Sequence, residues 1–407
     1  MSVTGGVRSW TDIFAARARA DVGAGLVEIL ALAGNTDLIP FAGGFPDPAT
    51  FPGDTAARLM RDLVDSADER AFQYAPTRGL SSTLDAVATR LEGLEGRSPD
   101  PAELMITSGA IEALELAGKS FIDAGDAVVV EGPTYLGAIM AFRSFGAEVA
   151  AVPMDEHGLK LDELQRLLDG GGKPKFLYTI PDHQNPAGVS LTSERRRELV
   201  TVARAHGLLL IEDVAYRELG FDDRLLPSLW SLAPDVVLQI GTTSKTFFPG
   251  VRLGWAAGPA EVVARLVMAK QNTDQCAGAL GQRLFEEYAR RGLMDAQLEL
   301  SRTLYSRRCE LMMAALEASM PPEVSWTRPR GGFFTWLTLP DGFNSIDFVG
   351  RAAQKGVAVV PGIPFFPDGR GSNNVRLSFS RVREELIDEG IGQLAALVRS
   401  GMERRQS

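Results

Sequence analysis

The sequence predicts an α/β protein: a large domain built on a mostly parallel seven-stranded sheet covered by helices, with a smaller α+β domain beside it. Three observations lead there. The chain has 407 residues, more than one typical domain holds. Between about residues 100 and 260, short and almost wholly apolar runs alternate with amphipathic helical stretches, which is how parallel strands covered on both faces read. After a long helical stretch over 260–318, a second group of strands follows "PPEVSW" with helices among and behind them.

Residues 11–33 carry apolar side chains at helical spacing and stop at Gly34-Asn35. The stretch "LIPFAGGFPDPATFP" (38–52) holds too much glycine and proline for a helix. It reads as a linker, or as a shaped loop in which Gly43-Gly44 lets the backbone come close to a ligand. The large sheet is expected from "ELMIT" (103–107), "AVVVE" (127–131), "EVAAVP" (148–153), "KFLYTI" (175–180), "LLLIED" (208–213), "VVLQIG" (236–241) and "RLGWAAG" (252–258). "GFFTWLTL" (332–339), "GVAVVPG" (356–362) and "NVRLSFS" (374–380) supply the smaller sheet. "SERRRE" (193–198) reads as an exposed helix start capped by Thr192 or Ser193.

Composition excludes several function classes. A net charge of −10 and the lack of a basic block oppose nucleic-acid binding. Two cysteines, Cys276 and Cys309, and three scattered histidines, His157, His183 and His206, form no metal constellation and no disulfide framework. No apolar run is long enough to span a membrane, and the first residues lack the apolar core of a signal peptide. The expectation is a cytoplasmic protein without metal, membrane or nucleic-acid partner.

The chemistry gathers at the strand exits, where α/β sheets bind ligands. "ELMIT" runs into Ser108-Gly109-Ala110 and a helix start, an anion site or a plain cap. "AVVVE" leads to Tyr135, a ring for packing or for stacking, and "KFLYTI" leads to "PDHQNPAG" with Asn185 in a turn. "LLLI" ends on Glu212-Asp213 with Tyr216 behind, and buried acids need partners. "VVLQIG" opens into "TTSKTFFPGVRLGW", with Thr242, Thr243, Ser244, Lys245 and Arg252. An anion cradle, a carboxylate for a ring nitrogen, an amide and a phenol for a ring oxygen, an aromatic face and an amine together describe one cofactor, pyridoxal 5′-phosphate. Lys245 would carry its aldehyde as a Schiff base, and Arg252 with the hydroxyls would hold its phosphate.

From about residue 20 to 395 the chain resembles class I/II aminotransferases, fold type I of the pyridoxal-phosphate enzymes. The motifs "FAGGFPDPATFP", "FQYAPTRGL", "YTIPDHQNPAGVS", "IEDVAYREL", "SKTFFPGVRLGW" and "NNVRLSFS" fall in the family's order. The 2-aminoadipate/kynurenine aminotransferase-like subgroup is the nearest in pattern. The resemblance implies the following roles. Lys245 bonds the cofactor and shuttles the proton; Asp213 pairs with the ring nitrogen; Asn185 and Tyr216 reach the ring hydroxyl; Tyr135 stacks on the ring. Ser108, Gly109, Ala110, Thr242, Ser244 and Arg252 surround the phosphate. Tyr74 reaches the phosphate of a partner subunit, so the expected assembly is a homodimer with shared sites. Arg376 clamps the substrate carboxylate and Gly44 lies over the substrate. For Arg376 a surface ion pair, and for Tyr74 simple packing, are the plainer readings. The resemblance also groups residues 1–54 (N-terminal helix and substrate loop) with 301–407 as the small domain, around a cofactor-binding domain of 55–300.

The implied activity moves an amino group between an amino acid and a 2-oxo acid in amino acid metabolism or biosynthesis. A lyase, a decarboxylase or an oxidative deaminase would use the same constellation. A transcriptional regulator on this fold would need an added DNA-binding domain, for which no room is read before residue 20. Four departures from the subgroup bear on substrate and cradle. "NPAG" stands where Asn-Pro-Thr-Gly is usual, and Glu112 stands in a helix start that is usually Gln-rich. Phe247-Phe248 adds apolar bulk after the lysine, which narrows the pocket or simply packs. Val27 stands where members that take acidic substrates carry an Arg. The expected substrate side chain is therefore neutral, apolar or aromatic.

Overall fold

The computed structural model describes residues 10–19, 37–222 and 225–406. A turn of 3-10 helix at Trp10–Ile13 and a short helix at Ala16–Arg19 fall in the stretch expected to be helical. The rest of that stretch, with Val27, lies outside the described residues.

The large sheet has eight strands in the order 104–107, 254–257, 237–242, 209–213, 176–179, 127–132, 148–155 and 158–159. All seven strands expected from the sequence are there, trimmed by one to three residues at their ends or extended by one or two. The eighth, Gly158–Leu159, is a two-residue hairpin return after Asp155. It is too short to show a period in the sequence. The strands from 127–132 to 237–242 run parallel, while 254–257 is antiparallel to both its neighbours.

Alternation along each strand splits the apolar residues between two cores. Val128, Val130, Tyr178, Ile211 and Leu238 enter one, and Val129, Leu177, Leu210 and Val237 enter the other. Helices cover both faces, so polar side chains reach a cavity only at the strand ends. "SERRRE" does start a helix, Ser193–His206, capped by Thr192. Not all of it is exposed, since Arg196 is fully buried against Asp182 at 2.6 Å. Burying that guanidinium is tolerable because a carboxylate and three backbone carbonyls receive it.

The small sheet is antiparallel, in the order 325–326, 334–338, 374–378 and 360–361. Ile39–Pro40, read from the sequence as loop, pairs in parallel with Val357–Ala358. The segment that follows bonds to both lobes, the Ala42 carbonyl accepting from Arg376 and the Gly44 carbonyl from Lys245. A 26-residue helix, Met294–Ser319, joins the lobes. One core is continuous through both, with Tyr178 and Ile211 at one end and Leu377 and Val398 at the other.

Candidate active site

Strand 209–213 ends in two buried carboxylates that the pleat sends to opposite faces. Glu212 accepts from the N–H groups of Leu229 (2.7 Å) and Trp230 (3.0 Å), the first residues of helix Leu229–Leu232. Burial pushes its carboxyl up to about 7. Asp213 faces the other way, into a cavity of about 360 Å³. Its oxygens accept from the Tyr178 hydroxyl (2.8 Å) and the Ala215 N–H (3.0 Å). Burial raises the Asp213 carboxyl, and those two donors together with the Lys245 ammonium pull against the rise. Tyr178 is a residue that sequence reasoning missed. It lies inside "KFLYTI", where a tyrosine reads as core.

The neighbouring strand 237–242 opens into a tight turn. The Thr242 hydroxyl donates to Ser244 Oγ at 2.9 Å. Lys245 comes next, its Nζ donating to the Gly44 carbonyl at 2.9 Å. Burial, reinforced by Arg252 and Arg376 and opposed by Asp213, lowers the Lys245 amine to about 8. Arg252 takes a left-handed backbone (φ 51°) and donates to Ser244 Oγ (3.3 Å), the Pro249 carbonyl (3.3 Å) and the Ser108 carbonyl (3.2 Å). Gly109, at φ 93°, precedes helix Ala110–Phe121, whose first N–H groups have no intrahelical partner. A Cβ on Gly109 would stand 2.6 Å from Arg252 Nη2. Glycine thus keeps a cradle open between a guanidinium, hydroxyls and a helix N-terminus. Ser108 joins through its carbonyl, its hydroxyl being donated to Asp274 and its N–H to Glu112.

At the other end of the cavity, Arg376 is buried. Its Nη1 donates to Asn185 Oδ1 at 2.9 Å and its Nη2 to the Ala42 carbonyl at 2.8 Å. The guanidinium lies 4.3 Å from the ring centre of Phe334 and 4.9 Å from that of Phe365. Its Nε is buried without a partner among the described residues. Burial lowers the group to about 10. Tyr216 meets Phe333 and Phe334 edge-on at 5.4 and 5.8 Å, and burial raises its phenol. The Tyr135 ring folds over Gly137, where a Cβ would stand 2.5 Å from it.

Lys245, Asp213, Tyr216, Tyr135, Asn185, Thr242, Ser244, Ala110, Arg252, Gly44 and Arg376 all line this cavity. Tyr74 does not; it is 83% exposed, beyond the helix Glu69–Phe72. Nor do Phe247 and Phe248, against the expectation of apolar bulk at the substrate. Phe247 packs on Phe248, Phe285 and Tyr288 inside the core, and Phe248 meets Phe51. Glu131 was also missed, and Gln184 reads from the sequence only as part of the turn that carries Asn185. Buried Gln184 donates to Glu131 and to the Pro133 carbonyl, which locks the turn of Asn185 to the turn of Tyr135.

The donor set suits pyridoxal 5′-phosphate. A cradle that one methyl group would fill, an acceptor-only carboxylate and a lysine of lowered basicity share a cavity of cofactor size. No group of three or more potential metal ligands occurs among the described residues.

Comparison with known proteins agrees. Residues 38–394 match the family described as aminotransferase class I and II. The chain is 38% identical to the 2-aminoadipate transaminase of Thermus thermophilus, over 95% of this chain and 96% of that protein. It is 36% identical to aromatic-amino-acid aminotransferase 1 of Thermococcus litoralis, over 93% and 92%. The crystal structure of the Thermus thermophilus α-aminoadipate aminotransferase LysN, complexed with N-(5′-phosphopyridoxyl)-L-leucine, superposes with a TM-score of 0.90 at 37% identity, covering 97% of this chain and all of that one. Fold, cavity and relatives converge, and the chain belongs to the class I and II aminotransferases, enzymes of fold type I that work with pyridoxal 5′-phosphate.

Proposed function

We propose that this aminotransferase uses Lys245, as the residue that bonds the cofactor, to move an amino group between a 2-oxo acid and an α-amino acid with an uncharged side chain. The observation that carries the reading is the meeting of Lys245, Asp213, Arg252 and Arg376 on one cavity. Bound pyridoxal 5′-phosphate supplies an electron sink and carries the amino group. Lys245 Nζ, its basicity lowered by burial, would bond the cofactor and, once the substrate amine has freed it, would carry the proton from the substrate α-carbon to the cofactor carbon that takes over the amino group. Asp213 holds a proton at the ring nitrogen, and Tyr178 fixes the Asp213 carboxylate for that task. Asn185 and Tyr216 hydrogen-bond the ring hydroxyl, and Tyr135 covers the ring face.

Thr242, Ser244, Arg252 and the N–H groups at Gly109 and Ala110 take the phosphate, with Ser108 bracing Arg252. Arg376 receives the α-carboxylate, which gives its unpartnered Nε edge a use, while the Gly44 backbone lies over the substrate.

Side-chain preference follows from charge. Among the described residues the cationic side chains on the cavity are Lys245, Arg252 and Arg376, each with a role already. Phe45, Ile111, Leu136 and Phe365 supply apolar wall. An unpaired carboxylate there costs several kcal/mol. Aromatic, branched and thioether donors should therefore exceed glutamate and 2-aminoadipate in kcat/KM, read from loss of the Schiff-base absorbance as each donor is added. A clear win for glutamate or 2-aminoadipate overturns the neutral pocket.

The enzyme is further proposed to work as a cytoplasmic homodimer in biosynthesis. Met60, Val64, Phe72 and Tyr74 are large apolar or aromatic side chains left exposed within one short stretch of sequence, and a second copy would cover them. Free Cys276 and Cys309 fit a reducing compartment, which cell fractionation tests. The pairing of Ile39–Pro40 with Val357–Ala358 supports grouping residues 1–54 with 301–407 as the small domain.

A further inference from the structure

Behind the cradle lies a fully buried lysine to which none of these roles is assigned. Lys270 sits in the last turn of helix Ala260–Gln271. Its ammonium donates to both oxygens of Glu112 (2.6 and 2.8 Å) and to both oxygens of Asp274 (2.8 Å each). These two carboxylates grip Ser108. Glu112 accepts the Ser108 N–H, and Asp274 accepts the Ser108 hydroxyl at 3.1 Å. The last polar group of Ser108, its carbonyl, accepts from Arg252 Nη2 at 3.2 Å. A continuous chain of hydrogen bonds thus runs from Lys270 through Ser108 to the guanidinium of the cradle. Behind Ser108 one ammonium meets two carboxylates, so that end of the chain carries an excess negative charge behind a helix start suited to anions, with the Arg252 guanidinium at the other end. Glu112 adds that charge in the first turn of the helix.

We propose that Lys270 and Glu112 are positioning residues that set how tightly the cofactor phosphate is held. Lys270 fixes the two carboxylates that hold Ser108, and Ser108 fixes Arg252. Glu112, through its charge, weakens the hold on a phosphate dianion. The proposal rests on the assignment of the phosphate to Arg252 and the Gly109-Ala110 helix start.

The test uses holoenzyme freed of cofactor by an amino donor and dialysis, at pH 8. Affinities are measured for pyridoxal 5′-phosphate, for inorganic phosphate and for pyridoxal, which has no phosphate. In Glu112→Gln the amide oxygen still accepts the Ser108 N–H, and Lys270 keeps Asp274. This variant should bind pyridoxal 5′-phosphate and inorganic phosphate about three- to tenfold more tightly, with pyridoxal unchanged. Lys270→Met should weaken both phosphate ligands by roughly tenfold or more, and Lys270→Met/Glu112→Gln should recover most of that loss. Unchanged or weaker phosphate binding in Glu112→Gln overturns the proposal, as does an equal change for pyridoxal. If Lys270→Met does not fold, Glu112→Gln alone decides. Arg252→Met separates the two levels. If it leaves phosphate affinity intact, the cradle assignment fails; if it weakens phosphate while Glu112→Gln does nothing, only the present inference fails.

Discussion

The two ends of the cavity are built in different ways. The phosphate end comes from two short segments, 107–110 and 241–254, at neighbouring strand ends. Glycine lets them touch: a Cβ on Gly254 would stand 2.6 Å from the Gly241 carbonyl and 2.9 Å from Gly109 Cα. The carboxylate end is assembled from afar. Arg376 binds Asn185, 191 positions away, and Ala42, 334 positions away, and it lies between Phe334 and Phe365. A site made of local segments owes its geometry to turns. A site made across lobes owes it to how the lobes pack, so it can tighten or loosen as they move.

The largest expected effect is at the boundary between the two ends, on Lys245. Lys245→Ala should lower single-turnover conversion of an amino donor by at least about 10²–10⁴-fold, the usual worth of a positioned proton carrier, with the fold retained. Borohydride reduction of the wild type followed by peptide mapping should mark Lys245; a mark on Lys270 would move the chemistry out of the cavity. The same variant sharpens the phosphate end. If Tyr74 completes the cradle of a second copy, mixing Lys245→Ala with an impaired Tyr74→Phe chain restores activity in some sites. No recovery after verified subunit exchange would mean that each cradle is complete within one chain.

A smaller loss is expected at the far end. Arg376→Lys keeps a positive charge but gives up the planar fork that meets Asn185 and Ala42 together. Its kcat/KM for every α-amino acid donor should fall by about 30- to 1,000-fold, carried mainly by KM. Cofactor affinity should change little. If cofactor affinity falls as much as kcat/KM, the two ends are one cooperative unit and the contrast drawn above is wrong.

Legibility in the sequence follows the same division. All seven main strands were readable, because burial on both faces leaves continuous apolar runs. The cluster from Thr242 to Arg252 was readable because its chemistry is contiguous. Tyr178 was not, since a tyrosine inside an apolar strand looks the same whether or not its hydroxyl meets a carboxylate two positions along the neighbouring strand. Phe247 was misjudged for the converse reason. Nearness to Lys245 in sequence says nothing about direction, and the turn sends its ring into the core beside Phe285 and Tyr288. Arg196 looked exposed within a charged run, yet its helical position faces Asp182.

The smallest effect tests what ties the cavity wall together. Glu131 is buried, and among the described residues it forms no ion pair. One of its oxygens accepts from the Ile180 N–H (3.1 Å) and Gln184 Nε2 (2.9 Å), and the other meets the Thr179 hydroxyl. A hydroxyl can turn from donor to acceptor, so the network tolerates a proton on that second oxygen. Burial accordingly lifts the carboxyl from 4.5 to about 7. The folded state then binds a proton that the unfolded chain has released between those two values. That contribution to stability is whole below about pH 4.5 and is lost as pH rises through 7. Glu131→Gln is neutral at every pH and presents its amide to Thr179 while its oxygen keeps the other two donors. Relative to wild type, the variant should therefore gain stability with rising pH, by about 1–3 kcal/mol between pH 5 and 8.5. Glu212, with a similar rise, is present in both proteins and cancels. Denaturant unfolding of the two holoenzymes across that range reads the difference. A difference that stays flat means that Glu131 remains charged throughout, and that Tyr135 and Asn185 are held in register by an ionised carboxylate.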